Sequence, residues 1–537
     1  MASRQETWRH GGQQWIERSI PAVAGVFDRV ASSADPPDAV LLMDAAFVLP
    51  DDGLLARLPA GPADVWHGGV ALGLGEQPRS WDRVDPLSMF SAPVDPTIEL
   101  TSWRVSLRAA LIRSEVIRQL GAPDLDFETL SGAGLDLGLR WIRSGALVRH
   151  VPSLVPDAAV PDDPPAPSDG LRLVARHRGR VWGGWALLRG LRHEIPIRSA
   201  VGSARRLRTT ELPALVHYAA PEERQVGGDT GRTVSVILPT VDRYSYLEPL
   251  LQQLAAQTIA PHQVIVADQT PLDHRRHDLA SVAPSLPLSV IELGEPGQCT
   301  SRNAAIAAAT GEFLLFIDDD DDVPVDLIEG HLSRMIDGVD ASSRAVDDAT
   351  AGPPPVGFRH RRASDVFPTN NTLLRRSALV PTGLFDPAYD RGARADHDLG
   401  MRLHLSGAQL VYDPSIEVFH HHAPVGGLRT HGARKVTRAG SRRSLTQRHL
   451  PSLTERYLAH RYFRPDQASE GLAISALSQL GGDGRRWCRV GRAAVQLVLM
   501  PFTVRALRSV DRDARALLTR RPPIPDLPPL MSEPADR

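Results

Sequence analysis

Residues 312–324, EFLLFIDDDDDVP, run large apolar side chains straight into five aspartates and a proline. Carboxylates this close repel one another and raise each other's pKa, so the knot is stable as anions only beside a cation or in open water. A hard divalent cation, Mg²⁺ or Mn²⁺, takes such oxygen ligands together with substrate phosphates. The competing reading is a solvated turn whose acids cap the following helix, VDLIEGHLSRMI at 325–336.

The elements that must position these acids follow from periodicity. TVSVILPT (233–240) and HQVIVADQT (262–270) are short β-rich runs, and YLEPLLQQLAAQT (246–258) between them has helical spacing. TSRNAAIAAATG (300–311) reads as a helix with Gly311 as its C-cap, and EFLLFID as a third strand, apolar on both faces. Strands alternating with helices predict an α/β fold whose parallel sheet is covered on both sides and binds ligands beyond the carboxyl ends of its strands. Asp268 and the acids at 318–322 fall at that edge.

Composition limits the alternatives. A chain of 537 residues is too long for one core, and 42% hydrophobic with 23% charged residues is ordinary for a globular protein. A net charge of -2 argues against a nucleic-acid binder that works by bulk charge. Cys299 and Cys488 lie far apart without metal-ligand spacing, so neither a disulfide framework nor a zinc site is expected. The first residues, MASRQETWRHGGQQW, lack an apolar run, so no secretory signal is expected. AAVQLVLMPFTV (493–504) is apolar but far short of the roughly 20 residues needed to cross a bilayer. It reads either as a buried helix interrupted at Pro501 or as an interfacial helix within an arginine-rich region.

Pro-, Asp- and Gly-containing breaks at 156–170 and 221–231 divide the chain. The expected parts are 1–160, a linker with a helical segment at 161–230, an α/β domain at 231–430, a helical region at 431–520, and a disordered tail at 521–537. An internal repeat crosses these boundaries. LLMDAAFVLPDDGLLARL aligns with LFIDDDDDVPVDLIEGHL, and residues 111–153 align without a gap on 373–415, with about fourteen identities in roughly 45 positions. The first copy has Ala46 where the second has Asp320, and Gly134 where the second has Asp396. It also lacks the opening strands, so residues 1–160 are expected to be a degenerate, inactive half-module.

The order VSVILPTVDR, VIVADQT, GQCTSRNAAIAAATGEFLLFIDDDDDVP and the run from NNTLLRRSALV to VFHHH resembles the motif series of family 2 glycosyltransferases, over residues 233–422. The resemblance implies a GT-A fold, Rossmann-like and α/β, in the domain at 231–430. It implies donor contacts from Pro239, Thr240, Asp268, Arg302, Asn303 and Asp318. It also implies a divalent metal, Mg²⁺ or Mn²⁺, on Asp318, Asp320 and His420. ADHDLGMRL matches the family's EDxDL pattern with Ala395 in place of glutamate, which makes Asp396 the catalytic base.

The implied activity is that of an inverting, metal-dependent hexosyltransferase, moving a sugar from a nucleotide-sugar donor, a UDP-sugar first, to a hydroxyl of a glycan or lipid-linked acceptor. Cell-surface polysaccharide or glycolipid synthesis at the cytoplasmic face of a membrane fits this, with no nucleic-acid partner and peripheral membrane contact through the basic C-terminal region. A nucleotidyltransferase on a similar sheet needs a glycine-rich phosphate loop after its first strand, which LPTVDRYSY does not supply. A non-catalytic scaffold is the third reading.

Overall fold

The computed structural model describes residues 16–68, 80–155, 164–191, 214–220, 231–344, 356–423, 426–427 and 438–529. The N-terminal residues 1–15, most of the two expected breaks, most of the basic segment at 423–437 and the end of the expected tail lie outside the described residues.

The chain opens with α1 (Ile20–Ser32), β1 (Ala39–Met43), α2 (Asp52–Ala60), β2 (Val65–His67), β3 (Leu100–Thr101), β4 (Ala109–Arg113), α3 (Ser114–Leu120), α4 (Leu130–Ser144) and β5 (Val148–His150). Its strands form a sheet in the order β1-β4-β2-β5-β3. Glycines let α4 press against this sheet: a Cβ on Gly138 would collide with the Trp103 carbonyl oxygen. A helical hairpin, α5 (Pro167–Arg178) and α6 (Arg180–Gly190), follows where a linker with a helical segment is expected.

The second sheet begins with β6 (Val234–Thr240), α7 (Tyr244–Ala255), β7 (Gln263–Asp268), β8 (Leu288–Glu292), α8 (Gln298–Ala308) and β9 (Phe313–Phe316). It continues through β10 (Asp321–Asp322), α9 (Leu327–Arg334), β11 (Ala341–Ser343), β12 (Arg362–Ala363), β13 (Thr372–Arg375), α10 (Ala395–Leu405), β14 (Leu410–Tyr412) and β15 (Phe419–His420). Eight strands take the order β12-β14-β11-β13-β9-β6-β7-β8, while β10 and β15 pair separately. Strands β7, β6 and β9 are parallel, as their apolar faces predict, and β8, largely exposed and not expected from the sequence, extends them in the same direction at the sheet edge. Beyond them the sheet is mixed, because β13 runs antiparallel to both β9 and β11. The α8 helix ends at Ala308 rather than at a Gly311 C-cap. Gly311 is instead fitted to a close approach, since a Cβ there would lie 2.7 Å from the Ser235 amide nitrogen.

Five strands of this sheet repeat the N-terminal sheet in order, direction and register. Leu111 faces Leu41 and Trp66, and its counterpart Leu373 faces Leu315 and Ser342. Val148 beside Val65 matches Leu410 beside Ala341, and Leu100 opposite His150 matches Arg362 opposite Tyr412. Buried ion pairs repeat as well: Arg140 to Asp136 and Arg402 to Asp398, both at 3.0 Å from Nε. The two sheets share one continuous apolar core, with a second cluster on the other face of the larger sheet.

They meet about a local two-fold relation, α4 against β12 and α10 against β3. Gly145 (φ 108°) abuts the Arg361 carbonyl, and its counterpart Gly407 (φ 94°) abuts that of Glu99. His360 Nε2 lies 2.9 Å from the Arg143 carbonyl oxygen, and Arg149 donates to the Gly407 carbonyl at 3.0 Å.

The helical C-terminal region holds α11 (Leu453–Tyr462), α12 (Pro465–Ser478), α13 (Arg486–Val498) and α14 (Met500–Arg520). Arg461 at the end of α11 reaches Asp386 and Asp398, as Arg176 at the end of α5 reaches Asp124 and Asp136. The reading of 493–504 as a buried helix does not hold: the break falls at Leu499, and Leu497, Val498 and Phe502 are exposed.

The core also holds neutral histidines. His331 is fully buried between the Ser342 hydroxyl, 3.0 Å from Nδ1, and Asn371 Oδ1, 2.8 Å from Nε2. Burial lowers its pKa to about 4, as it does that of His404, and burial lowers His67 to about 3. An unfolded chain binds these protons near pH 6.5, so stability is complete above that pH and falls as pH drops toward 4. His331 accounts for up to about 3 kcal/mol of that loss. His331→Gln is expected to flatten the fall in urea stability between pH 6.5 and 4; an unchanged slope refutes the assignment.

Candidate active site

The carboxyl ends of β6 and β9 open into a cleft of about 870 Å³, within the size range of small-molecule sites. Its walls include Pro239, Thr240, Arg302, Asp318, Asp320 and His420, six of the residues singled out in the sequence. Arg243, Asp319, Gln298, Arg391, Arg448 and Glu455 are among the others.

The five aspartates are not equivalent, because each meets a different partner. Asp318, the most exposed of those facing the cleft, accepts from Arg302 at 2.7 Å, and Arg302 is itself braced on the Gln298 carbonyl. Asp319 accepts from the Thr240 hydroxyl at 2.8 Å and from Arg243 at 2.9 Å. Asp320 Oδ2 accepts the Ala423 N–H, while Oδ1, buried and without a hydrogen bond, faces Arg243 at 3.0 Å. Asp321 sits 2.7 Å from His420 Nδ1, and Asp322 pairs with His421 and Gln253.

Strand pairing fixes this arrangement. Asp321 lies opposite His420 in the β10–β15 ladder, so the acidic run and the histidines are zipped together by backbone. Charge follows from it. Burial pushes the Asp319 carboxyl up to about 6, against the pull of Arg243 and Thr240. Burial, with the like charge of Asp318, also raises Asp321, while its carboxylate neighbours raise the His420 imidazole in spite of burial. For Arg243 burial opposes the charge, but Asp319, Asp320 and Asp318 outweigh it and hold the guanidinium protonated.

Three expected site residues do not line the cleft. Asp268 is buried at the end of β7, where it accepts from the Tyr244 hydroxyl at 2.7 Å and the Thr270 N–H at 2.9 Å. Asn303, expected to contact donor, spends its amide on Phe385: it donates to that carbonyl and accepts that N–H, both at 2.8 Å. It ties α8 to the 385 loop. Asp396 lies in the first turn of α10, partly exposed, 3.4 Å from His397 Nδ1 and just past the cleft wall formed by Arg391–Ala393. The residue before the helix is Arg394, with left-handed φ of 81°.

Arg243 is the largest omission from the sequence reading. Three residues beyond the strand end, it carried no spacing signal, and only the turn after β6 brings it onto the acids. Among the described residues, no group of three or more His, Cys, Asp or Glu side chains is arranged to hold an ion.

Comparison with known proteins finds a family match within the chain. Residues 235–384 match the model of Glycosyl transferase family 2. The uncharacterized glycosyltransferase YwdF of Bacillus subtilis (strain 168) is 26% identical over 146 residues, 27% of this chain and 50% of that protein. Poly(ribitol-phosphate) beta-N-acetylglucosaminyltransferase TarS of Staphylococcus aureus (strain Mu50 / ATCC 700699) is 37% identical over 93 residues, 16% of each chain. The chain thus spans half or less of the length of these curated relatives. The mannosyltransferase PcManGT from Pyrobaculum calidifontis, solved in complex with GDP-Man and Mn²⁺, aligns with a TM-score of 0.35 and 17% identity, over 55% of this chain and 89% of that one. The segment that carries the parallel strands and the acids at their ends, residues 235–384, is thus the part of the chain that matches family 2 glycosyltransferases.

Proposed function

We propose that the chain is an inverting, metal-dependent glycosyltransferase that moves a sugar from a nucleotide donor, a UDP-sugar first, to a hydroxyl of a glycan or lipid-linked acceptor. One observation carries this reading: Asp318 and Asp320 meet Arg302, Arg243 and His420 in a single cleft at the strand ends.

A hard divalent cation would have to draw its donors together, since among the described residues no three such side chains are already gathered around one point. Asp318 and Asp320 offer carboxylate oxygens, His420 an imidazole, and Asp320 Oδ1 is a buried acceptor without a hydrogen bond that an ion would satisfy. Bound there, the ion supplies Lewis-acid neutralisation of the diphosphate. Arg302 and Arg243 present two guanidinium groups to the negative charge that grows on the leaving diphosphate. Thr240 and Pro239 wall the nucleotide side, with Asp268 holding the β7 end behind them. Asp396 takes the proton of the acceptor hydroxyl as that oxygen attacks the anomeric carbon from the face opposite the leaving group. One displacement inverts the centre.

The proposal extends to the rest of the chain. Residues 1–160 act as a degenerate half-module that packs against the catalytic domain at 231–430, and the repeated strand register supports this. The arginine-rich region at 431–520 keeps the enzyme at the cytoplasmic face of a membrane, where the product serves cell-surface polysaccharide or glycolipid. A scaffold without activity has one observation in its favour, since Arg243 already neutralises Asp319 and Asp320 without an ion.

A melting screen of nucleotide sugars separates the two. A ligand at a hundred times its Kd adds about 2.7 kcal/mol to the folded state. One UDP-sugar is expected to raise the melting temperature only with Mn²⁺ or Mg²⁺ present. If no nucleotide sugar shifts it under either condition, the transferase reading fails.

A further inference from the structure

The C-terminal helix pair is built inside out. In α13 the residues turned into the protein are polar: Arg492 is 2% exposed and Gln496 is fully buried. Arg492 donates to the backbone carbonyls of Gly481, Ser444 and Gln447, and Gln496 to that of Leu445 at 2.8 Å. Beyond its arginine-bearing first turn, the residues turned out are apolar. Trp487 is 82% exposed, Leu497 64%, Val498 75% and, at the start of α14, Phe502 64%.

A helix of a water-soluble domain does the reverse, and a contiguous exposed patch of this kind marks a contact surface. Among the described residues no single helix is long and apolar enough to cross a bilayer; α13 and α14 meet that length and composition only as a pair, and they are bent by 63° at their junction. Its rim is cationic. Arg485, Arg486 and Arg489 are exposed at one end, and Arg505, Arg508 and Arg512 along α14 beyond Phe502. Asp513 is the exposed carboxylate among residues 485–515. An apolar strip in a ring of arginines is complementary to a bilayer surface, tails beneath and anionic headgroups around.

We propose that α13 and the first turn of α14 dock this face into the surface of a membrane containing anionic lipids. The Arg492 and Gln496 bonds grip the 444–447 segment, and Arg448 to Glu455 directly after it line the cleft. Docking therefore holds that wall of the cleft directly behind the membrane-facing helix. Only this last consequence rests on the glycosyltransferase reading, in which the wall meets an acceptor carried by the membrane.

Vesicle sedimentation of the full chain tests the docking without any need for activity. The chain is expected to pellet with phosphatidylcholine vesicles containing about a third phosphatidylglycerol and to stay in solution with phosphatidylcholine alone. Trp487→Ser/Leu497→Ser/Phe502→Ser is expected to raise the vesicle Kd at least tenfold with unchanged circular dichroism. Arg505→Gln/Arg508→Gln/Arg512→Gln is expected to weaken binding comparably and to remove most of its salt dependence. The proposal is overturned if the wild-type chain ignores anionic vesicles or if the apolar triple variant binds them normally. It is equally overturned if the chain is a dimer in solution that this variant dissociates, which would make the face a contact between copies.

Discussion

Asp320→Asn is expected to lower sugar transfer by on the order of 10³-fold and to abolish the metal-dependent rise in melting temperature caused by donor. The substitution keeps shape and the Ala423 contact while removing the charge on the one buried oxygen of the knot that lacks a hydrogen bond. Asp319 cannot substitute, because Thr240 and Arg243 already occupy its carboxylate. Asp396→Asn should behave differently. It leaves donor and ion contacts untouched, so the melting shift survives while turnover drops on the order of 10²- to 10⁴-fold through loss of the base. Isothermal titration of Mn²⁺ and donor beside initial rates distinguishes the two. Wild-type turnover in Asp320→Asn, or a lost melting shift in Asp396→Asn, would break the assignment of roles.

The second large effect concerns stability. Gly407→Val and Gly145→Val should each destabilise the protein by about 3 kcal/mol or more, from two sources. Both positions hold a positive φ that a β-branched residue resists, 94° and 108°. In both, a new side chain meets a backbone carbonyl of the other sheet, Glu99 or Arg361, which cannot swing aside. Because the two contacts are related by the local two-fold, their effects should be similar in size. Differential scanning calorimetry compares them directly, and a melting temperature within a degree of wild type for either variant refutes the interface argument.

Much of this was written in local pattern. The apolar runs of β6, β7 and β9 could be buried only in a sheet covered on both sides, and the acids at their ends had to face an edge. The repeat was legible because residues 111–153 and 373–415 align without a gap, and the register of the two sheets keeps that spacing. What escaped was settled by long-range packing. Arg243 reaches Asp319 across 76 positions, which no spacing rule reveals. The amide of Asn303 looked like a ligand group until Phe385, 82 positions away, claimed both its ends. For 493–504 the apolar content was visible, but which face turned inward depended on carbonyls at 444–447 that Arg492 and Gln496 satisfy.

The paired sheets have a consequence for how the molecule behaves on dilution. A self-complementary patch usually joins two separate copies and comes apart as concentration falls. Here both halves of the patch sit on one polypeptide, so the local concentration of each for the other is set by the tether and not by the solution. An enzyme wired in this way carries its own subunit with it, at nanomolar levels as in a crowded cell.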